Sequence, residues 1–304
     1  MKVVLLSGGG GGARFARGLA DALPAGSLTI VGNVGDDLEI LGLHVSPDLD
    51  SLIYTLADLI DQERGWGRAG ETWNALASAG SWGGEDWFRL GDLDIGLHLV
   101  RTELLRAGVP LSHVTAQLAE KTGLGSRILP ATNDRLRTHV HTAAGEFPFQ
   151  EWFVGRAHED DVDMVRYEGA EDASPAPAVL EALAGAAAIL IAPSNPYLSI
   201  APILAVNEIR DALESRRVRC VAVSPIVGGK AISGPLDRML SRMAGGTTPA
   251  HVTDCYLGLI DALVIDETDA PAQAEVELVA TQTLMSDRDA ARRLAEKALE
   301  VACG

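Results

Sequence analysis

The chain has 304 residues, 47% hydrophobic and 22% charged, with a formal net charge of −17. That length suits two modest domains or one large α/β domain with an insertion, and the apolar fraction is enough for a sizeable core. An acidic surface repels nucleic-acid phosphates and anionic lipid heads, so neither is an expected partner, yet backbone N–H groups can still bind a small phosphate.

The opening MKVVLLSGGG carries an apolar run too short for a signal-peptide core, and no stretch approaches the roughly 18 apolar residues of a membrane span. Cys220, Cys255 and Cys303 lie far apart without a CxxC pair, which suits free thiols in a reducing compartment. A cytoplasmic location is therefore expected. Val3 to Leu6 reads as a buried strand and Gly8 to Gly12 as a turn only glycine supplies in such density. Ala13 to Leu23 has helical spacing and stops at Pro24. Leu28 to Val31 is a second strand, followed by Gly32-Asn33-Val34-Gly35-Asp36-Asp37. This β-loop-α-β start opens a doubly wound sheet.

Asp48 to Asp61 reads as a helix, residues 62–91 as a long Gly- and Trp-rich loop, and Asp92 to Ala107 and Leu111 to Thr122 as helices. Strands are expected at Arg127 to Leu129, His139 to His141, Phe149 to Val154 and Val162 to Tyr167, then an exposed connection over Glu168 to Ala178. Ala187 to Ala192, Arg219 to Ser224 and Leu263 to Asp266 are further strands, each with loop chemistry at its C-terminal end, where open α/β sheets bind ligands. Ser286 to Val301 closes the chain as an amphipathic helix with Ser286 as N-cap. The predicted fold is one Rossmann-like, doubly wound α/β domain over residues 1–304. Its sheet is mainly parallel, and a helical insertion or lid covers about 56–125.

Five clusters can carry chemistry. Ser7 to Arg14 places Gly9, Gly10, Gly11 and Gly12 before a helix, where backbone can approach a phosphate closely. The spacing Gly8-x-Gly10-x-x-Ala13 satisfies a loose dinucleotide fingerprint, whereas a P-loop would need Lys and Ser/Thr where Ala13 and Arg14 stand. A tight turn without ligand is the competing reading. Asp36, Asp37, Asp48 and Asp50 suit a magnesium ion held by one or two carboxylates and substrate phosphate oxygens, although Asp48 also fits a helix cap. Arg89, in Trp87-Phe88-Arg89-Leu90-Gly91-Asp92, offers a planar fork for an anion or a ring face, and Asp92 sits at a helix start. The loops Pro130 to Arg135 and Pro193-Ser194-Asn195-Pro196 carry groups able to read a base or ribose, turn chemistry being the alternative. Lys230, on the turn Gly228-Gly229, can neutralise a phosphate. His139 and His141 lack a third ligand for zinc, and no GxSxG elbow occurs.

In this order the segments GGGGGARFARGL, GNVGDDLEILGLHVSPDLDSLIYTLA, DWFRLGDLDIGLHLVRTELLRAG, LPATNDRLRTHV, APSNPYLSIAPIL and AVSPIVGGKAISGPLDRML resemble the 2-phospho-L-lactate transferases of the CofD/FbiA family, over nearly the whole chain. Gly10 replaces the usual Thr of that family's GGTGG loop. The resemblance implies transfer of a phospho-three-carbon acid, phospholactate or phosphoenolpyruvate, from a guanosine-diphosphate-linked donor to the ribityl hydroxyl of the deazaflavin FO. The resemblance further implies that GMP leaves, that the product is a precursor of coenzyme F-420, that Mg²⁺ is the cofactor and that the enzyme is a homodimer. By family pattern Asp50 and Arg89 match deazaflavin-contacting positions, with Asp92 beside them. The expected roles follow. Asn33, Ser194, Asn195 and Lys230 join the glycines at the nucleotide phosphates. Asp36, Asp37 and Asp50 hold Mg²⁺, and Asp50 and Asp36 act catalytically. Asp50→Ala is expected to cost turnover by orders of magnitude and leave the fold intact. An NAD(P)-dependent oxidoreductase is a rival reading, and so is a nucleotide-binding regulator like the YvcK proteins.

Overall fold

Seven short runs rich in Val, Ile, Leu and Ala pair into one sheet: β1 (Val3–Ser7), β2 (Leu28–Gly32), β3 (Arg127–Pro130), β4 (Ala188–Ile191), β5 (Cys220–Val223), β6 (Ala262–Asp266) and β7 (Glu277–Thr281). The computed structural model describes residues 1–304. Every pairing is parallel, and the spatial order is β7-β6-β5-β4-β1-β2-β3. Such strands are covered on both faces, which explains why all five residues of β1 are buried and none alternates with a polar one. The order reverses direction between β1 and β4, where Val3 is in register with Leu28 on one side and Ala188 on the other. That reversal is the topological switch point of a doubly wound α/β sheet, outside whose strand C-termini ligands bind.

The loop after β1 does not end before the helix begins. Gly9 to Gly12 form the first turn of α1 (Gly9–Ala22), four residues earlier than the sequence pattern indicates. Gly9 needs its glycine because φ is +69°. The later helix α2 (Pro47–Leu56) stops short of Asp61, since Asp58 turns to φ +56°. Before it lies a small hairpin, Leu38–Ile40 with Leu43–Val45, that periodicity does not reveal because each strand has only three residues. Between β2 and β3 stand α2, α3 (Asn74–Ser81), α4 (Asp92–Arg106) and α5 (Leu111–Lys121). The helix α3 falls within the segment expected to be loop. Its Ala-Ser-Gly sequence buries only Leu76 and so has no apolar stripe to read.

A second excursion, between β3 and β4, makes a separate antiparallel sheet from Arg137–Thr142, Gly145–Pro148 and Val162–Glu168. The strand expected at Phe149 to Val154 is instead a π-helical turn at Glu151–Gly155. Its aromatic run has β-like composition, yet Trp152 is buried with Val140, Val162, Leu198 and Met239 in a small core of its own. At the chain's end Asp287, not Ser286, caps helix Arg288–Cys303 by accepting from the Ala290 N–H at 2.8 Å. This helix lies so close to α1 that a Cβ on Gly18 would stand 2.2 Å from the Ala291 carbonyl. No helix is long and apolar enough to cross a membrane.

Candidate active site

The loops after β1, β2 and β4 meet at the switch point, and a buried carboxylate ties them. Asp48, in the first turn of α2, accepts from the Gly9 N–H at 2.7 Å and from Asn33 Nδ2 at 2.9 Å. Asn33 Nδ2 also donates to the Leu198 carbonyl at 3.3 Å, and its Oδ1 accepts from the Gly35 N–H at 2.8 Å. The amide is fully engaged, so Asn33 shapes the loops rather than reading a base. A Cβ at Gly8 would stand 2.5 Å from Asp48 Oδ2, and one at Gly12 2.5 Å from Ser7 Oγ and 2.7 Å from Ser194 Oγ. Close approach, more than torsional freedom, requires glycine there. Because Asp48 occupies the Gly9 N–H, the first-turn donors without an intrahelical partner are those of Gly10 and Gly11. The turn at Gly65 lies over them: a Cβ on Gly10 would be 3.9 Å from the Gly65 carbonyl.

Beside this turn stand Asp36 and Asp37, both buried. Asp36 Oδ2 accepts from Gln150 Nε2 at 3.3 Å, and Asp37 Oδ2 from Ser46 Oγ at 2.9 Å with His44 Nε2 at 3.0 Å. The Oδ1 atoms of both aspartates have no partner. Burial drives the Asp36 carboxyl well above its ordinary value, and the charges of Asp48 and Asp37 push the same way. Burial also moves Asp48 up to about 6, against the lowering hydrogen bonds from Asn33 and Gly9. For His44, burial alone would lower the pKa, but its bonds to Asp37 and Glu39 outweigh it and raise it. Buried carboxylate oxygens that lack donors suit a hard cation that also takes phosphate oxygens. The residues therefore fit magnesium, although no group of three or more His, Cys, Asp or Glu gathers as a complete ligand set.

Asp50 does not join this cluster. Its Oδ2 accepts from Arg101 Nη1 at 2.8 Å and its Oδ1 from Arg101 Nη2, and both residues are buried. The expected trio of Asp36, Asp37 and Asp50 is thereby reduced to the first two, because a guanidinium saturates the third. Arg101 comes from α4, and one turn along the same contact Tyr54 donates to Asp94 Oδ1 at 2.8 Å. Burial lifts Asp94 to about 6, with Glu71 and Asp50 adding to it, and drops His98, beside Arg101, to about 4. Tyr54, His98 and Arg101 were not expected, and Asp94 was expected only as a carboxylate favoured at the helix start. The available signal was spacing: Asp50 and Tyr54 on one helix, and Asp94, His98 and Arg101 on the other, are polar residues set three or four apart on faces that should be apolar.

The remaining expected residues are placed as follows. Arg89 is exposed, has no ion pair, and lies over the Trp73 ring at 5.7 Å. Asp92 accepts from Thr72 Oγ1 at 2.5 Å and from the Ala75 N–H at 2.9 Å, so it caps α3 and is spent within the helical excursion between β2 and β3. Ser194 is buried and donates to the Gly8 carbonyl at 2.6 Å. The Asn195 carboxamide oxygen accepts from the N–H groups of Tyr197 and Leu198 at 2.9 and 3.2 Å, which makes it a local cap. Lys230 is exposed on the hairpin after β5 and makes no ion pair.

A family model described as 2-phospho-L-lactate transferase CofD matches residues 3–303. A phosphoenolpyruvate transferase of Streptomyces coelicolor is 43% identical over 313 residues, covering 99% of this chain and 98% of that protein. A phosphoenolpyruvate transferase of Mycolicibacterium smegmatis is 39% identical over 323 residues, covering 99% of each. Among solved structures, a Bacillus halodurans protein superposes with a TM-score of 0.67 at 17% identity, over 98% of this chain and 99% of that one. Another structure, described as a UPF0052 family member from the same organism, gives 0.64 at 18%, over 98% of each chain. At such identity these two show the shared fold alone.

Proposed function

The chain belongs to the 2-phospho-L-lactate transferase CofD family, and from that premise we propose that it moves phosphoenolpyruvate from a guanosine-diphosphate-linked donor to the ribityl hydroxyl of the deazaflavin FO, on the route to coenzyme F-420. The observation that carries this reading is the pair of donorless, buried Oδ1 atoms on Asp36 and Asp37, set beside a glycine turn whose Gly10 and Gly11 N–H groups have no intrahelical partner. That pairing of anion and cation sites suits a magnesium diphosphate. The names of the relatives, phosphoenolpyruvate transferases at 39% and 43% identity, favour phosphoenolpyruvate over phospholactate.

In the proposed reaction the ribityl oxygen attacks the phosphorus of the phosphoenolpyruvate unit. The new P–O bond forms as the bridging P–O bond to GMP breaks, and GMP leaves with the bridging oxygen. Asp37 Oδ1 would hold magnesium, which when bound would supply charge neutralisation for the diphosphate. The helix-first-turn N–H groups of Gly10 and Gly11 orient the phosphates. Burial alone favours the protonated form of Asp36, and a cation held at Asp37 would favour the ionised form, which would then take the ribityl proton at Oδ1. Little basicity is needed, because positioning and charge neutralisation carry most phosphoryl transfers. Arg89, exposed on the lid with no carboxylate partner, is free to meet the deazaflavin. The test supplies FO, Mg²⁺ and, in turn, the guanylylated forms of phosphoenolpyruvate, phospholactate and phosphoglycerate, and weighs products by mass spectrometry. The expected result is stoichiometric GMP and the phosphoenolpyruvyl adduct. No adduct from any donor would end the reading, and preference for another acid would reassign the donor.

A further inference from the structure

The excursion between β3 and β4 meets the acidic cluster through one buried side chain, Gln150, whose Nε2 donates to Asp36 Oδ2 at 3.3 Å. Resting on the functional reading above, in which Asp36 takes the ribityl proton, we propose that Gln150 is a positioning residue for the transfer, anchoring Asp36 Oδ2 so that Oδ1 faces the ribityl oxygen.

An anchor matters because an aspartate carboxylate turns about a broad, roughly two-fold torsion. A donor on one oxygen therefore fixes where the other points. For the neighbouring carboxylates such donors come from the loops beside them: Ser46 and His44 for Asp37, Asn33 and the Gly9 N–H for Asp48. Asp36 has no other side-chain amide, hydroxyl, imidazole or cationic donor than Gln150. Arg137, from the same excursion, makes no ion pair and brings its positive charge to bear on this carboxylate. A catalytic hydrogen bond of this length is common before substrate is in place.

The excursion is built to hold Gln150 there. The Thr138 N–H donates to the Gly35 carbonyl at 2.7 Å, which ties the excursion to the residue before Asp36. Gln150 itself opens the π-helical turn Glu151–Gly155. Such turns are rare and recur at functional sites. The chain has a second one, Pro196–Ile200, whose Leu198 carbonyl accepts from Asn33 and whose Ser199 lies against Gly8. The two turns share one small core, in which Trp152 of the first is buried with Leu198 of the second. The Trp152 indole N–H donates to the Asp160 carbonyl at 3.1 Å and fixes the first turn from behind. One core thus sets both the Asn33 amide, which holds Asp48, and the Gln150 amide, which holds Asp36.

The experiment follows GMP release by the full-length protein with FO, Mg²⁺ and the guanylylated acid that wild type turns over best. Gln150→Met keeps the length of the side chain and removes the donor, Gln150→Ala removes the side chain, and thermal melting controls for folding. The expected result is kcat lowered about tenfold or more in both, about 1.4 kcal/mol of barrier, with KM for donor and for FO held within about threefold. A residue acting only on stability would not act through Asp36, so the second readout is a double-mutant cycle. In an Asp36→Asn background Gln150→Met should cost less than about twofold further, read as single-turnover GMP release at high enzyme concentration. Unchanged kcat in the Gln150 variants, or losses that multiply in the cycle, would overturn the positioning role and leave the transferase reading standing. Wild type that releases no GMP from any guanylylated acid would overturn both.

Discussion

Asp50 is the residue whose environment most changes what its sequence position suggests. The motif VSPDLDSL puts it two residues from Asp48, yet the two carboxylates face different partners: the glycine turn for Asp48, the Arg101 guanidinium for Asp50. Asp50→Ala therefore strands a buried guanidinium. Such a loss costs about 3–5 kcal/mol, so the variant should lose stability together with turnover. Asp50→Ala/Arg101→Met should recover stability but not activity, as chemical denaturation and a turnover assay would establish; full stability of the single variant would refute the pairing. Asp94 makes a second residue-level test. Its carboxyl sits at about 6 in the fold against 3.8 for the ordinary group. A raised value means the fold favours the protonated form, so this contribution is fully present below about pH 4 and is lost as pH rises through about 6. Asp94→Asn is neutral throughout. Its stability relative to wild type should therefore improve on the order of 1–3 kcal/mol between pH 4 and pH 7, measured by urea denaturation at both. A pH-independent difference would contradict the assignment.

At the scale of elements, the helical excursion between β2 and β3 is held by exchanged caps. Glu71 accepts from the Leu93 and Asp94 N–H groups at 2.8 and 2.9 Å at the start of α4, while Asp92 from α4 caps the start of α3. Asp92 is thus engaged within this excursion, and any effect it has on a bound acceptor would be indirect. Asp92→Ala should cost about 1 kcal/mol of local stability. Amide exchange should then speed up over residues 72–81 and stay unchanged in β1 and β4, with donor binding retained; unchanged exchange in α3 would show the cap to be idle. Sequence reading finds α4 and α5 because each has a sustained helical period, and misses α3 because its residues are small and exposed. It also misses the exchange of caps, since Glu71 and Asp92 are far apart in the chain and nothing in either local pattern names the other.

For the whole molecule, the two ends of the chain are packed together by α1 and helix Arg288–Cys303, with Gly18 at the contact. Alanine is ordinarily better than glycine inside a helix by about 1 kcal/mol. Here its methyl would collide with backbone, which cannot swing aside as a side chain can. Gly18→Ala should accordingly destabilise the protein by about 1–3 kcal/mol in denaturant melts, and a stabilising effect would contradict the close approach. The same scale separates what each source of information contains. The sequence by itself determined the α/β class, the glycine turn on the first strand-to-helix junction, the Asp36-Asp37 doublet after the second strand and the family. These are local patterns, carried by periodicity and by short motifs within a single loop. Only the tertiary structure decided that Asp48 closes the glycine turn, that Arg101 takes Asp50 out of the acidic cluster, and that Asn33 and Asn195 shape loops. For Asp48, Asp50 and Asn33 the answer depends on which group, tens or hundreds of residues away, fills the side chain's hydrogen bonds once water has been excluded, and for Asn195 on whether its carboxamide turns to the local backbone or outward.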